Sequence, residues 1–469
     1  MAHSRRDFLR TSACALGSMA LATTMDQFGV VHALTPQAAT DYRALVCVFL
    51  NGGNDGNNTF LDLNQYNQYS TARNAAQLAI PQASFLPVSP VSGGSFGFHP
   101  NMTEMQSLFN SGKLAVLCNN GPLVEPLTRT TYQNGSGKKP LQLFSHSDQV
   151  GQYSTAIANS VSQTGWGGRL ADKTLGLNGA ATFPSNISIA GVNLYLTGVD
   201  TRQLAVADSN TSLANVLVLN TAPGASATDI SSRLTSFNEL RTFDNNFKLI
   251  KAASDTRSSS IQTDAALSNV NPVLTTPFPN PSTSLSRQLL QVARLIKAST
   301  DPTAGINMKR QIFFCQIGGF DTHSQQLNGQ GSLLQQLSQA INAFYNATVE
   351  LGLQDKVTLF TMSDFSRTLQ PSGTGAAQVG SDHAWGNNQL IVGGAVLGHT
   401  LYGTYPNITP GGPDDTDSGS SPRGRWIPTT SIEQYAATLA SWYGLSSADL
   451  SAVFPLISHF STSNLGFMA

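Results

Sequence analysis

The stretch Leu45 to Asn58, LVCVFLNGGNDGNN, constrains the fold of this chain more than any other. Its first six residues, Leu45 to Leu50, are all apolar. A run of that length without polar alternation suits a strand buried on both faces, as in a parallel sheet covered by helices. Gly52, Gly53 and Gly56 then permit positive φ and close backbone approach. Asp55 is the one carboxylate among them. In open α/β sheets ligands bind just beyond the carboxyl ends of the strands. Asp55 is therefore a candidate ligand, and an Asx-turn is its competing role.

The pattern of apolar run followed by a polar loop recurs. Lys113 to Asn120 ends in Asn119-Asn120-Gly121, after a short helix expected over Met102 to Ser111. Met308 to Gly319 contains a strand that runs into Phe320-Asp321-Thr322-His323. Lys356 to Met362 ends in Ser363-Asp364-Phe365-Ser366-Arg367. Gly380-Ser381-Asp382-His383 enters another strand over Asn388 to Val396. Helical periodicity marks the residues after Ser145, after Gly165, and over Arg233 to Gln262, Ser284 to Ser299, Gln326 to Leu351 and Ser431 to Tyr443. Alternating strands and helices predict an α/β fold, a mostly parallel sheet flanked by helices. One domain over 41–469 is expected, with residues 176–290 as an inserted cap region.

Only 11% of the 469 residues are charged and the net charge is -1. That balance offers no basis for a nucleic-acid partner. Ser4-Arg5-Arg6-Asp7-Phe8-Leu9-Arg10, a mildly hydrophobic run from Thr11 to Thr24, and Val31-His32-Ala33 match a twin-arginine export signal over residues 1–33. The apolar run is shorter than the ~20 residues a spanning helix needs, so no stable membrane span is expected. The twin-arginine translocase is the expected partner during export, and the periplasm or the exterior the expected location. Of the four cysteines, Cys14 falls in the signal, and Cys47, Cys118 and Cys315 sit inside apolar runs. They read as buried hydrophobes rather than a disulfide framework.

Asp55, Asp321, His323, Asp364, Asp382 and His383 all fall beside predicted strand ends, so one edge of the sheet can gather them. Mixed carboxylate and imidazole ligands suit zinc, manganese or magnesium. Four carboxylates in one cleft repel one another without a cation, which is the reason to expect one or two divalent ions. Ser145 and Ser147 stand at the start of a helix, where a hydroxyl is an N-cap or, with a metal to lower its pKa, a nucleophile. Arg169 and Arg367 are candidates for binding the anion of a substrate. No G-x-S-x-G elbow is present. His99, before Pro100, reads as a structural histidine. In Gly411 to Ser421, GGPDDTDSGSS, the acids read as a solvated loop rather than a calcium site.

The arginine pair, FLNGGNDG, FSHSDQ, TGWGGRLAD, GGFDTH, SDFSRT, GSDHAWGN and RGRWIPTTSIEQYAATLASWYG together resemble an exported bacterial family, domain of unknown function 1501. That family is placed in the alkaline phosphatase and sulfatase superfamily. The resemblance implies an alkaline-phosphatase-like fold with a two-metal site at the strand ends. It matches the first-strand aspartate to Asp55 and the nucleophile to Ser145, with Ser147 as the alternative. It matches later ligands to Asp321, His323, Asp364 and His383, with Asp382 beside it. Phe365 departs from the pattern, since those enzymes often carry histidine there. The expected function is a metal-dependent hydrolase or transferase of phosphate- or sulfate-type esters, acting on a small anionic ester or envelope component. The alternative is a non-catalytic exported protein that binds a cell-envelope glycan with the same cleft; calcium is admissible in either.

Overall fold

Among the described residues nine strands build the main sheet: β1 Arg43–Leu50, β2 Leu114–Gly121, β3 Asn186–Ser188, β4 Leu204–Ala205, β5 Arg310–Ile317, β6 Val357–Ser363, β7 Asn387–Val392, β8 Leu401–Tyr402 and β9 Thr430–Ser431. The computed structural model describes residues 38–213, 226–242, 263, 266–267, 272–279, 283–304, 306–375 and 378–469. The export signal at 1–33 and much of the 176–290 stretch lie outside the described residues.

The strand order is β8-β2-β7-β6-β1-β5-β3-β4, and β9 also pairs with β2. β1 is central and runs parallel to β5 and β6. β7 is antiparallel to both of its neighbours, β2 and β6. That reversal matters for the site. The loop entering β7 reaches the same edge of the sheet as the loops leaving β1, β5 and β6. β3 and β4 fall inside the segment expected as an insertion and extend the main sheet beyond β5.

Side chains of β1 alternate between two apolar layers. Ala44, Val46, Val48 and Leu50 face one core, which includes residues of α1 (Thr103–Asn110), α4 (Ser284–Thr300) and α5 (Gln326–Glu350). Leu45, Cys47 and Phe49 face the other, with residues of α2 (His146–Thr155), α3 (Trp166–Thr174) and α6 (Ile432–Tyr443). Covering both faces is what an unbroken apolar run requires. Each fully buried Val, Leu or Phe contributes about 1.5–3 kcal/mol, so these layers rather than the polar edge hold the fold. Cys47, Cys118 and Cys315 are free and buried in the layers, and burial pushes all three thiols up. No helix among the described residues is long and apolar enough to cross a membrane.

Two glycines let the loops close at the functional edge. Gly52 has φ 112° and approaches so closely that a Cβ there would lie 2.4 Å from the Asp321 amide nitrogen. Gly53 has φ 82°, and a Cβ there would strike the Phe365 ring at 2.4 Å. The loops after β1, β5 and β6 therefore pack directly against one another.

Candidate metal centre

Three imidazoles and one carboxylate converge at this edge, and each imidazole has an oxygen behind it. His146 is the first residue of α2, and its Nδ1 lies 2.8 Å from Oδ2 of Asp364. Asp364, just past β6, is fully buried, and its Oδ1 accepts the Gly52 N–H at 2.9 Å. His383 Nδ1 lies 2.8 Å from the Phe144 carbonyl oxygen, and His323 Nδ1 lies 3.3 Å from Oδ1 of Asp382. A carbonyl or carboxylate accepts, so these partners assign the proton of His146 and His383 to Nδ1 and leave their Nε2 lone pairs facing inward.

The inward atoms are very close. His146 Nε2 and His383 Nε2 are 3.1 Å apart. Asp321 Oδ1 is 3.4 Å from the first and 3.6 Å from the second. His323 Nε2 lies 3.0 Å from His383 Nε2 and 3.0 Å from Asp321 Oδ1. Facing lone pairs cannot bond to one another. Donors about 2.0–2.1 Å from a tetrahedral zinc stand about 3.4 Å from each other. The His146, Asp321 and His383 separations therefore fit a divalent cation, and their donor atoms all lie within 4.8 Å of one another. Imidazoles backed by a carboxylate or carbonyl are the usual support of such an ion.

The surroundings favour the deprotonated forms of Asp321 and His383. Burial works to raise the Asp321 carboxyl, but the Arg367 guanidinium, with His146 and His323, holds it below the usual carboxylate range. Burial, joined by the charges of His146, Arg367 and His323, lowers His383 against the opposing Phe144 carbonyl. The Phe365 ring packs against both His146 and His383, each with centroids 4.7 Å away, and fixes the ring planes. This is a positive use for the aromatic residue that departs from the resemblance.

The structure thus sorts the sequence candidates. Asp321, His323 and His383 come together, and Asp364 and Asp382 stand behind the imidazoles rather than among the donors. Asp382 also pairs with Arg423 at 2.7 Å. Asp55 points elsewhere: it is fully buried and ion-paired with Arg73 at 2.6 Å. Gln326 Nε2 donates to the same carboxylate at 2.6 Å, and the Asn57 N–H at 3.1 Å. Its two oxygens are engaged, which removes it from the donor set. Arg169 is not free to grip an anion, because it donates to the carbonyls of Val453, Thr164 and Thr155 at 2.5–3.1 Å. Arg367 is fully buried. It donates to the carbonyls of Gly53, Ser381 and Gly52 and to Asp321, and so clamps the loops. Ser145 is the residue before α2, and its Oγ donates to Asp148 at 2.6 Å. Ser147 is exposed, with its Oγ 3.2 Å from that of Ser145.

His146 is absent from the residues singled out in the sequence. The available signal was a third histidine on a loop at a helix start. Arg423 and Arg425 are absent from them too. Arg425 donates to the His383 carbonyl at 3.1 Å, and its guanidinium lies 4.8 Å from the Phe144 ring centroid. Both arginines follow directly on the 411–421 loop expected to be solvated, which is instead braced by a fully buried acid. Asp415 accepts the N–H groups of Gly411, Asp417, Gly424 and Arg425 at 2.8–3.0 Å. With those donors on its oxygens, calcium has no place there.

Fold and site together define an α/β protein with a cation-ready edge on a mostly parallel sheet. A family model described as protein of unknown function, DUF1501, matches residues 42–415, and the chain belongs to that family. Its structural neighbours are sulfatases and alkaline-phosphatase-like proteins. It is similar to the PsFucS1 sulfatase from Pseudoalteromonas sp. at 8% identity, over 91% of this chain and 70% of that one, with a TM-score of 0.30. Similarity to the lipoteichoic acid synthase LtaP from Listeria monocytogenes is 8% in identity over 90% and 79%, with a TM-score of 0.32. For the phosphonate monoester hydrolase of Agrobacterium radiobacter the identity is 8% over 86% and 74%, with a TM-score of 0.30. No curated protein sequence matches the chain.

Proposed function

We propose that this chain is an exported, metal-dependent hydrolase or transferase of phosphate- or sulfate-type esters. One observation carries the reading: the lone pairs of His146 and His383 face each other at 3.1 Å beside Asp321. That arrangement is repulsive alone and favourable around a cation. His146, His383 and Asp321 hold the ion, with His323 beside them for a second. Zinc suits the nitrogen-rich set best, with manganese or magnesium as alternatives. A divalent ion bound here lowers the pKa of a nearby hydroxyl and polarises an ester oxygen.

The chain supplies the rest. Ser145 is the nucleophile, adjacent in sequence to a metal-holding histidine. Asp148, 2.6 Å from its Oγ, is positioned to accept the hydroxyl proton. The N-terminus of α2 favours negative charge next to it. Arg423 and Arg425, part-exposed where Arg367 is buried and themselves paired with Asp382 and Asp417, replace Arg169 and Arg367 as the arginines to face the substrate anion. Residues 1–33 direct export by the twin-arginine route, and 41–469 form the working domain.

The test is metal analysis of periplasmic protein together with turnover of aryl phosphates, sulfates and phosphonates. About one or more ions per chain is expected from the donor set, with turnover abolished in Ser145→Ala while the metal stays bound. Metal-free protein that binds envelope glycan without turning over any ester would replace this reading with the non-catalytic one.

A further inference from the structure

A second cleft lies apart from the imidazole cluster, between the 79–84 segment, the His99–Asn101 turn and the start of α5. Its volume is ≈ 440 Å³. That is within the range that holds small organic ligands. Residues four apart on α5 share a face, and neighbouring residues here meet different environments. Gln326 and Gln330 turn inward to Asp55 and Asn54, and Leu327 and Gly331 line the cleft.

His99 supplies the chemistry. It is only 5% exposed, yet it lines the cleft. The Asn101 N–H donates to its Nδ1 at 3.1 Å, so the ring proton sits on Nε2. Among the described residues that N–H makes no hydrogen bond, and His99 lines the cleft. Burial draws the ring down to about 4 against the pull of Asp55, so it is neutral at physiological pH. Gly331 keeps the imidazole accessible: a Cβ there would lie 3.3 Å from His99 Cε1 and 3.2 Å from Asn101 Nδ2.

The lining selects against charge. It contains no Asp, Glu, Lys or Arg. Ser84, Asn101 and Asn328 offer hydroxyl and amide groups next to the apolar surfaces of Ile80 and Leu327. Hydroxyls framed by C–H surface are what a sugar ring presents in return. A charged ester would lose its hydration here with no counter-charge.

We propose that this cleft binds an uncharged saccharide unit, anchored by the His99 Nε2–H. The site does not depend on the ester chemistry argued above. The test is calorimetric titration of the mature chain with glucose, galactose, N-acetylglucosamine, maltose, cellobiose and chitobiose at neutral pH. Saturable binding of at least one probe is expected. Ser332→Trp places a ring in the cleft from an exposed position and abolishes that binding, with an unchanged thermal melt showing that the fold survives. His99→Gln weakens it about tenfold, the cost of one misplaced hydrogen bond. No heat with any probe overturns the proposal. So does binding that persists in Ser332→Trp, or that is lost in His146→Ala, which would put the sugar at the imidazole cluster instead.

Discussion

Asp55 and Asp321 occupy corresponding places in the fold and have opposite surroundings. Each follows one of two adjacent parallel strands, β1 and β5. The Asp55 side chain is 0% exposed and has a permanent cation, Arg73, at 2.6 Å. The Asp321 side chain is 50% exposed, and three imidazoles crowd its Oδ1. The first carboxylate is neutralised from within the protein. The second has Arg367 on one side and imidazole nitrogens on the others, so the cluster leaves room for a cation from solvent. Standing at the carboxyl edge of a sheet makes an acid available to the site without making it part of it.

The two acids are nonetheless connected. Gln326 donates to Asp55 and accepts from the Ser381 hydroxyl, and the Ser381 carbonyl accepts from Arg367 at 2.8 Å. The buried pair therefore braces the loop that carries His383. It acts as scaffold for the site, and its removal should be read in stability rather than in chemistry.

The largest effect should come from breaking the buried pair. Asp55→Ala leaves Arg73 charged and uncompensated in the interior, a loss of about 3–5 kcal/mol. Urea denaturation measures it, and metal content per folded chain should not change. If metal is lost while stability holds, the contrast between the two acids fails.

His146→Ala should do the reverse. It removes a donor atom from the part-exposed cluster, with a stability change below about 1 kcal/mol in the metal-free protein. Metal affinity and ester turnover should each fall by more than about 100-fold, the upper end for loss of a supporting residue. Asp364→Asn then sharpens the comparison, because Asp364 is fully buried like Asp55 yet serves an imidazole. Its loss should weaken metal binding about 10–100-fold, measured by competition with a chelator.

The smallest effect concerns another buried acid, Glu433. Burial pushes the Glu433 carboxyl up to about 8, with hydrogen bonds from its own backbone and Ser431, and less so Arg169, offsetting this only in part. Arg169 donates to backbone carbonyls, so no ion pair of the Asp55 kind forms. The folded state therefore holds a proton that the unfolded chain releases near 4.5. Stability should fall as pH rises from about 4.5 to about 8 and then level off, since the unfolded state binds fewer protons in that window. Glu433→Gln should remove this slope and gain about 1–2 kcal/mol at pH 8, with thermal melts across pH as the measurement.

Much of the frame was legible from residues alone. The apolar run of β1, the helices at 284–300, 326–350 and 432–443, and the buried cysteines all follow from local pattern. The gathering of Asp321, His323 and His383 at one edge was legible too, because strand ends align there. The reversal of β7 was not, because an apolar run reads the same in either direction. His146 was missed because its partner, Asp364, lies 218 residues away.

What the sequence determined by itself is periodic: which residues face an apolar layer, and where a strand gives way to a loop. Backbone geometry sets those within a few residues, so they can be read locally. Which carboxylate meets a guanidinium, which backs an imidazole and which stays among the donors was decided only by the tertiary structure. Charge interactions depend on distance and burial, and both arise where loops from remote parts of the chain meet.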